Sequence, residues 1–286
     1  MNIRKALITA ANPAQRTLPL QVLVDRAGVS KPALQIILEE ADGAGIEEFV
    51  VVVCPGDQRA YGEAAGPYGG RVQFLEQAGP RGYGHAVLLG RRALEREDAF
   101  LHLVGDHLYV SGGGRGDRGD ESCARQLVEV AAAERAAVSA VQATREALLP
   151  YFGAVSGRLV PGGRRLYQID AVLEKPSPTE AERLLLVPGL RAGHYLCFFG
   201  LHVLTPQIFE LLAQSAASAG DDTVLPLSPA LHALSARERY LALEISGSRY
   251  DIGGRYGLLF AQFALSLAGR DRDLVLRQLL ELVAQG

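Results

Sequence analysis

Several short stretches of this chain carry residue types able to bind phosphate, sugar or a cation. Segment 7–19, Leu-Ile-Thr-Ala-Ala-Asn-Pro-Ala-Gln-Arg-Thr-Leu-Pro, has the outline of a phosphate-cradling loop leaving a strand, yet it contains no glycine. Glu174-Lys175-Pro176 sets an acceptor suited to sugar hydroxyls beside an ammonium suited to phosphate, with a proline fixing the backbone beyond them. A solvated acid/base pair is the plainer alternative. Lys175 is one of only three lysines, with Lys5 and Lys31, so any chemistry that needs a lysine has few candidates. Asp106 follows Gly105 at the end of an apolar run, and Asp251 stands two residues before Gly253. Taken alone, each reads as a loop cap or a turn residue. Cys54, Cys123 and Cys197 have no metal-ligand spacing, and two of them lie in apolar runs where a small buried thiol is ordinary, so no disulfide framework is expected.

These residues need a scaffold, and the hydrophobic pattern supplies one. Apolar 6–10 predicts a buried strand. A helix follows, with Ser30 as its cap, Pro32 in its first turn, Leu34, Ile37, Leu38 and Ala41 on one face, and Gly43 and Gly45 at its end. Segment 49–54 is a second continuous apolar strand, which completes a parallel crossover unit. Strands over 72–77 and 99–104, a helix over 84–97, a helix over 123–135 and a strand over 137–142 continue the alternation, and 151–173 is strand-rich. The stretch from Ser111 to Ser122 is polar and rich in glycine, which predicts a mobile loop; the Arg115-Gly116-Asp117 within it reads as chance and not as an adhesion signal. Segment 257–285 is helical by pattern, with Leu276, Leu279, Leu280 and Val283 on one face and a break near Gly269.

The 286 residues are 48% hydrophobic and 21% charged, enough for one sizeable α/β core with a helical end. Net charge is −3 and the arginines are scattered, which argues against a nucleic-acid partner. No apolar run reaches the length of a membrane span, and the start, Met-Asn-Ile-Arg-Lys, leads into a strand without a signal-peptide pattern, so a cytoplasmic protein with no membrane partner is expected.

Six strings, in order, resemble the sugar-1-phosphate nucleotidyltransferase family, and within it the bacterial uridylyltransferases acting on UTP and glucose 1-phosphate. They are Lys31-Pro32-Ala33-Leu34-Gln35 with Ala44-Gly45-Ile46-Glu47-Glu48, Gly82-Tyr83-Gly84-His85-Ala86-Val87, Gly105-Asp106, Tyr151-Phe152-Gly153-Ala154-Val155, Glu174-Lys175-Pro176, and Arg249-Tyr250-Asp251-Ile252-Gly253. The resemblance covers 5–265. It implies a Rossmann-like mixed, mainly parallel sheet flanked by helices, formed as one domain over 1–286 with 257–286 as a helical appendage. It also implies transfer of a nucleotidyl group from NTP to a sugar 1-phosphate with loss of pyrophosphate, and a homo-oligomer. By the same resemblance Asp106 and Asp251 hold one Mg²⁺, and Ala10, Ala11, Gln77 and Gly82 bind the nucleotide. Glu174 contacts the sugar, Lys175 its phosphate, and Gly153 lets the sugar approach the backbone. Arg16, Asp106 and Lys175 are the implied catalytic residues, and His85 is a helix-start residue.

The departures concern the triphosphate side. The family loop runs roughly Ala-Ala-Gly-x-Gly-Thr-Arg-x-x-Pro, whereas Asn12, Pro13, Ala14 and Gln15 replace the Gly-x-Gly-Thr portion here. Easy access to positive φ is lost, and Pro13 removes one N–H. No lysine lies between Lys5 and Lys31, which leaves Arg26 as the nearest substitute for the family's catalytic lysine. Thr223-Val224-Leu225-Pro226-Leu227-Ser228-Pro229 lacks the acid and amide of the family's Gly-Glu-Ile-Gln-Leu-Thr-Asp string. Two readings follow: an enzyme with an altered loop, or a catalytically impaired paralogue that binds sugar phosphate or nucleotide sugar and regulates or assembles with an active relative.

Overall fold

The computed structural model describes residues 1–111, 122–219 and 223–285. The glycine-rich stretch between Ser111 and Ser122, with its Arg115-Gly116-Asp117, lies outside them. The chain opens with β1 (Lys5–Thr9), a short hairpin β2 (Val22–Val24) and β3 (Ser30–Pro32), then α1 (Ala33–Asp42), β4 (Glu48–Val53), α2 (Gln58–Ala64) and β5 (Val72–Glu76). Next come α3 (Tyr83–Leu89), α4 (Arg91–Leu94), β6 (Phe100–Val104), β7 (His107–Ser111), α5 (Cys123–Glu134) and β8 (Ala137–Arg145). The remainder is β9 (Gly153–Leu159), β10 (Leu166–Glu174), α6 (Pro178–Leu184), β11 (His194–Leu204), α7 (Gln207–Ala219), α8 (Ser228–Arg237), β12 (Tyr240–Glu244), β13 (Gly247–Asp251), α9 (Gly257–Leu267) and α10 (Arg272–Ala284).

Nine strands form one mixed sheet in the order β5-β4-β1-β6-β11-β8-β12-β10-β9. The β5-β4-β1-β6 half is parallel, and its interior strands β1 and β4 read as apolar runs because both of their faces are covered, whereas the edge strand β5 alternates and stays partly exposed. Leu7, Val50 and Val52 point to one face, against α3, α7 and α8 residues such as Val87, Phe209 and Leu231. Ile8, Val51 and Val53 point to the other, where Leu34, Ile37 and Leu38 of α1, Leu127 of α5 and Leu265 of α9 meet them. None of the residues of α10 is buried. No helix of the described residues is long and apolar enough to cross a membrane.

Two expected helix boundaries differ from what forms. Ser30 does not cap α1; it belongs to β3, and Pro32 stands at the cap with extended backbone. A residue before proline disfavours the helical region, so Lys31 stays extended and the segment pairs with β2 instead. The helix expected over 84–97 is interrupted at Gly90, where a Cβ would lie 3.0 Å from Leu7 Cδ1, so close packing on β1 selects the poorest non-proline helix former.

Glu40 joins two helices of one layer, α1 and α5. Its Oε1 accepts the Ala124 N–H at 2.7 Å at the start of α5. Burial pushes its carboxyl from an ordinary 4.5 up to about 7, against the opposing pull of the Ala124 and Cys123 N–H groups, Arg26 and the Ser122 hydroxyl. The folded state therefore holds this proton more tightly than the unfolded chain. Its stabilising contribution is complete below pH 4.5 and is lost as pH rises towards 7, on the order of 3 kcal/mol in all. Denaturant titrations of Glu40→Gln should match wild type at pH 4 and show higher stability at pH 8; an unchanged difference between the two pH values would mean that burial does not raise the Glu40 carboxyl.

Candidate active site

A cleft of about 520 Å³ opens where β1, β5 and β6 end and where β10 arrives from the antiparallel half. Crevices at strand ends are the usual ligand sites of such sheets. Ala10, Ala11, Gln77, Gly82, Asp106, Glu174 and Lys175 all line it, so seven residues singled out in the sequence come together.

The loop after β1 turns without glycine. Asn12 Oδ1 accepts the Ala14 N–H at 3.1 Å and the Asn12 carbonyl accepts the Gln15 N–H at 3.0 Å, so an asparagine side chain shapes the turn that glycines would otherwise permit. Positive φ occurs nowhere in this loop. The consequence is electrostatic. Two N–H groups that could face a phosphate are already bonded, and Pro13 has none. Tyr61, buried beneath, donates its hydroxyl to the carbonyls of Ala10 (3.3 Å) and Arg16 (2.9 Å) and holds the loop down.

Arg16 does not line the cleft. Its guanidinium makes a two-pronged pair with Asp57 at the start of α2, with Nε donating to Oδ2 at 2.8 Å, and this fork geometry favours the carboxylate over an outward reach. Arg26 is also held elsewhere: Nε donates to the Ala268 carbonyl at 3.2 Å and Nη1 to Ser111 Oγ at 3.1 Å, and it does not line the cleft. Among the described residues that line the cleft, Lys175 is the only lysine or arginine.

One wall is built from Gln77 and the start of α3. Gln77 Nε2 donates to the Gly82 carbonyl at 3.1 Å and to His85 Nδ1 at 2.9 Å, with His85 in the first turn of α3. Gly82 has φ +91°, and a Cβ there would lie 2.8 Å from the Leu225 carbonyl oxygen. Gly84 N–H donates to that same oxygen, and Leu225 N–H donates to the Arg81 carbonyl, both at 2.8 Å. The 223–229 string thus packs on this wall through its backbone.

The opposite end is acidic. Asp106 leaves β6, and β7 begins at once with His107, whose Nδ1 lies 2.7 Å from Asp106 Oδ1. In the antiparallel β7–β13 ribbon Asp251 is the register partner of His107, and Ile252 N–H donates to the Asp106 carbonyl at 2.9 Å. One ligand atom from each of Asp106, His107 and Asp251 lies within 4.8 Å of the others. Two carboxylates and an imidazole are a donor set that fits a divalent cation. Burial raises the Asp106 carboxyl, but His107, its own N–H and the Gln15 amide outweigh it and hold it below its ordinary range. Gln15, from the altered loop, therefore reaches the acidic end; a Cβ on Gly253 would collide with its Nε2.

Glu174 and Lys175 close the cleft from β10. Glu174 pairs with Gly153 across β9 and β10 and accepts a hydrogen bond from Ser228 Oγ. A Cβ on Gly153 would lie 2.9 Å from Phe198 and 3.2 Å from Glu174 Oε2, so Gly153 backs the carboxylate while the cleft is lined by Glu174 itself. Lys175 adopts φ +46°, and its ammonium has no partner among the described residues.

Sequence reasoning passed over His107, although its position directly after Asp106 was the available signal. It also passed over a polar floor. Thr9 Oγ1 lies 3.3 Å from His102 Nε2 and the Tyr83 hydroxyl 3.4 Å from His102 Nδ1. His102 stacks on His202, its register partner in β11, which hydrogen-bonds Ser139. Burial holds both rings neutral, His202 down to about 3.

Comparison with known proteins fits this arrangement. The Nucleotidyl transferase family profile matches residues 19–262. The chain belongs to this family. This nucleotidyl transferase is 27% identical over 285 residues to UTP–glucose-1-phosphate uridylyltransferase of Streptococcus pneumoniae serotype 4, spanning 90% of this chain and 88% of that one. The corresponding protein of Streptococcus pyogenes is 28% identical over 284 residues, spanning 90% and 86%. Among solved structures, UDP-glucose pyrophosphorylase complexed with UDP-glucose superposes with TM-score 0.72 at 23% identity, over 92% of this chain and 98% of that chain. UTP-bound UGPase from Acinetobacter baumannii superposes with TM-score 0.73 at 22% identity, over 98% and 99%. These structural matches establish the nucleotidyltransferase fold.

Proposed function

We propose that this nucleotidyl transferase joins UTP to glucose 1-phosphate, giving a nucleotide sugar and pyrophosphate. The observation that carries the reading is one cleft lined by Asp106, Glu174 and Lys175, with Asp251 close enough to Asp106 to share a cation, and with no partner for the Lys175 ammonium among the described residues. An oxygen of the sugar phosphate attacks the α-phosphorus in line; the new P–O bond forms as the bond to the bridging oxygen of pyrophosphate breaks, and no covalent enzyme intermediate is needed. Lys175 holds the attacking phosphate, and Glu174 orients the sugar through its hydroxyls. Gln77 and the Gly82 backbone read the pyrimidine edge. Asp106 and Asp251 would hold Mg²⁺, which when bound neutralises charge on the phosphates.

The reading takes the chain as one unit over 1–286 with 257–286 as a helical appendage, working in the cytoplasm as a homo-oligomer. Exposed Leu276, Leu280 and Val283 on α10 support self-association. A second reading, a binding paralogue without turnover, is favoured by one observation: in the loop after β1 the Ala14 and Gln15 N–H groups are already bonded, Pro13 has none, and Arg16 is paired with Asp57. Pyrophosphate release separates the two. Purified protein with Mg²⁺, UTP and glucose 1-phosphate, against other NTPs and sugar 1-phosphates, should show release above a no-protein control if the chain is an enzyme. Silence with every pair, together with a melting temperature raised by UDP-glucose, would establish the paralogue. Silence without ligand stabilisation would overturn both.

A further inference from the structure

We infer that His107 supplies an imidazole nitrogen to the cation site, so that the site takes first-row transition cations, Mn²⁺ among them, in preference to Mg²⁺. The inference rests on Asp106 and Asp251 forming the cation pair and adds a ligand of different chemistry to them. Backbone geometry places it. Asp106 and His107 are consecutive across the β6–β7 junction, Asp251 is the cross-strand partner of His107, and the Ile252 N–H to Asp106 carbonyl bond locks the end of the ribbon. All three side chains thus converge from rigid strand ends.

The spacing suits one ion. Ligands at about 2.0 to 2.2 Å keep any two donor atoms within roughly 4.4 Å, so atoms already within 4.8 Å need only a few tenths of an ångström to close. The imidazole is largely enclosed, its side chain 15% exposed against 27% for Asp106, and both residues line the cleft. A side chain held this way has little rotamer freedom to lose on binding a cation.

Donor type then sets the preference. Mg²⁺ favours near-ideal octahedral oxygen ligation, whereas imidazole suits the transition metals, whose affinity for a nitrogen-containing site rises along the first row from Mn²⁺. A site with two carboxylates alone would discriminate weakly. The competing role for His107 is a hydrogen-bond donor that orients Asp106 at 2.7 Å, and that role would serve every cation alike.

Electron paramagnetic resonance on the substrate-free full chain loaded with Mn²⁺ tests this without any turnover. Wild type should bind Mn²⁺ at least tenfold more tightly than Mg²⁺ in competition, and pulsed spectra should show ¹⁴N coupling from a directly bound imidazole. His107→Asn keeps a donor for Asp106; it should lose the ¹⁴N signal and tenfold or more in Mn²⁺ affinity, with Mg²⁺ affinity changed less than threefold. His107→Gln serves as a second variant if the first does not fold. Bound Mn²⁺ without ¹⁴N coupling, equal weakening of both cations, or no Mn²⁺ binding to wild type would each overturn the inference. Because no substrate is present, the outcome is independent of whether the chain releases pyrophosphate.

Discussion

Replacing Asp106 by Asn should slow pyrophosphate release by on the order of 10²- to 10³-fold, the range found when one preorganised charge-stabilising group is removed. The substitution keeps the size of the side chain and an oxygen facing His107, but it deletes one of the two negative charges that would hold a cation against the triphosphate. The loss should lie in turnover more than in folding. The backbone bond from Ile252 N–H to the Asp106 carbonyl is untouched, and the ribbon that carries Asp251 depends on it. Melting curves check the fold, and initial rates across a Mg²⁺ titration read the effect. A folded variant with wild-type rate would remove Asp106 from the cation site.

Lys175→Ala should weaken glucose 1-phosphate binding by about 1.5 to 3 kcal/mol, roughly 10- to 150-fold, as expected for a lost charge-assisted hydrogen bond to phosphate. No neighbouring cation stands ready to compensate, since Lys175 is the only lysine or arginine among the described residues lining the cleft. Its backbone sits at φ +46°, a region that alanine tolerates no better, so the variant carries the same backbone cost as wild type and the loss reads on the ammonium. Lys175→Gln, which keeps a polar side chain one atom shorter and without the charge, should behave like Ala in calorimetry. Unchanged affinity in both would make Lys175 a solvated surface charge.

The two residues were legible in the sequence to different degrees. Glu174-Lys175-Pro176 announces its chemistry locally, because donor and acceptor are neighbours and the proline limits the backbone beside them. Asp106 does not. Its meaning comes from Asp251 across the β7–β13 ribbon, and neither of those strands was visible from hydrophobic pattern.

Periodicity and propensity are local quantities, and what depends on them alone was determined by the sequence: the buried β1 and β4 runs and the Leu34–Ile37–Leu38–Ala41 face of α1. The loss of glycines from the loop after β1 was equally plain in the sequence. How the loop turns without them was not, because the turn depends on where the Asn12 side chain points. Only tertiary structure decided that Asp57 captures Arg16, that Arg26 anchors the end of α9, that His102 stacks on His202, and that His107 joins two aspartates. Each of these pairings links distant parts of the chain through strand register and layer packing. A charged side chain takes whichever partner the fold brings within hydrogen-bond reach, and the residue type by itself names several candidates for every partner.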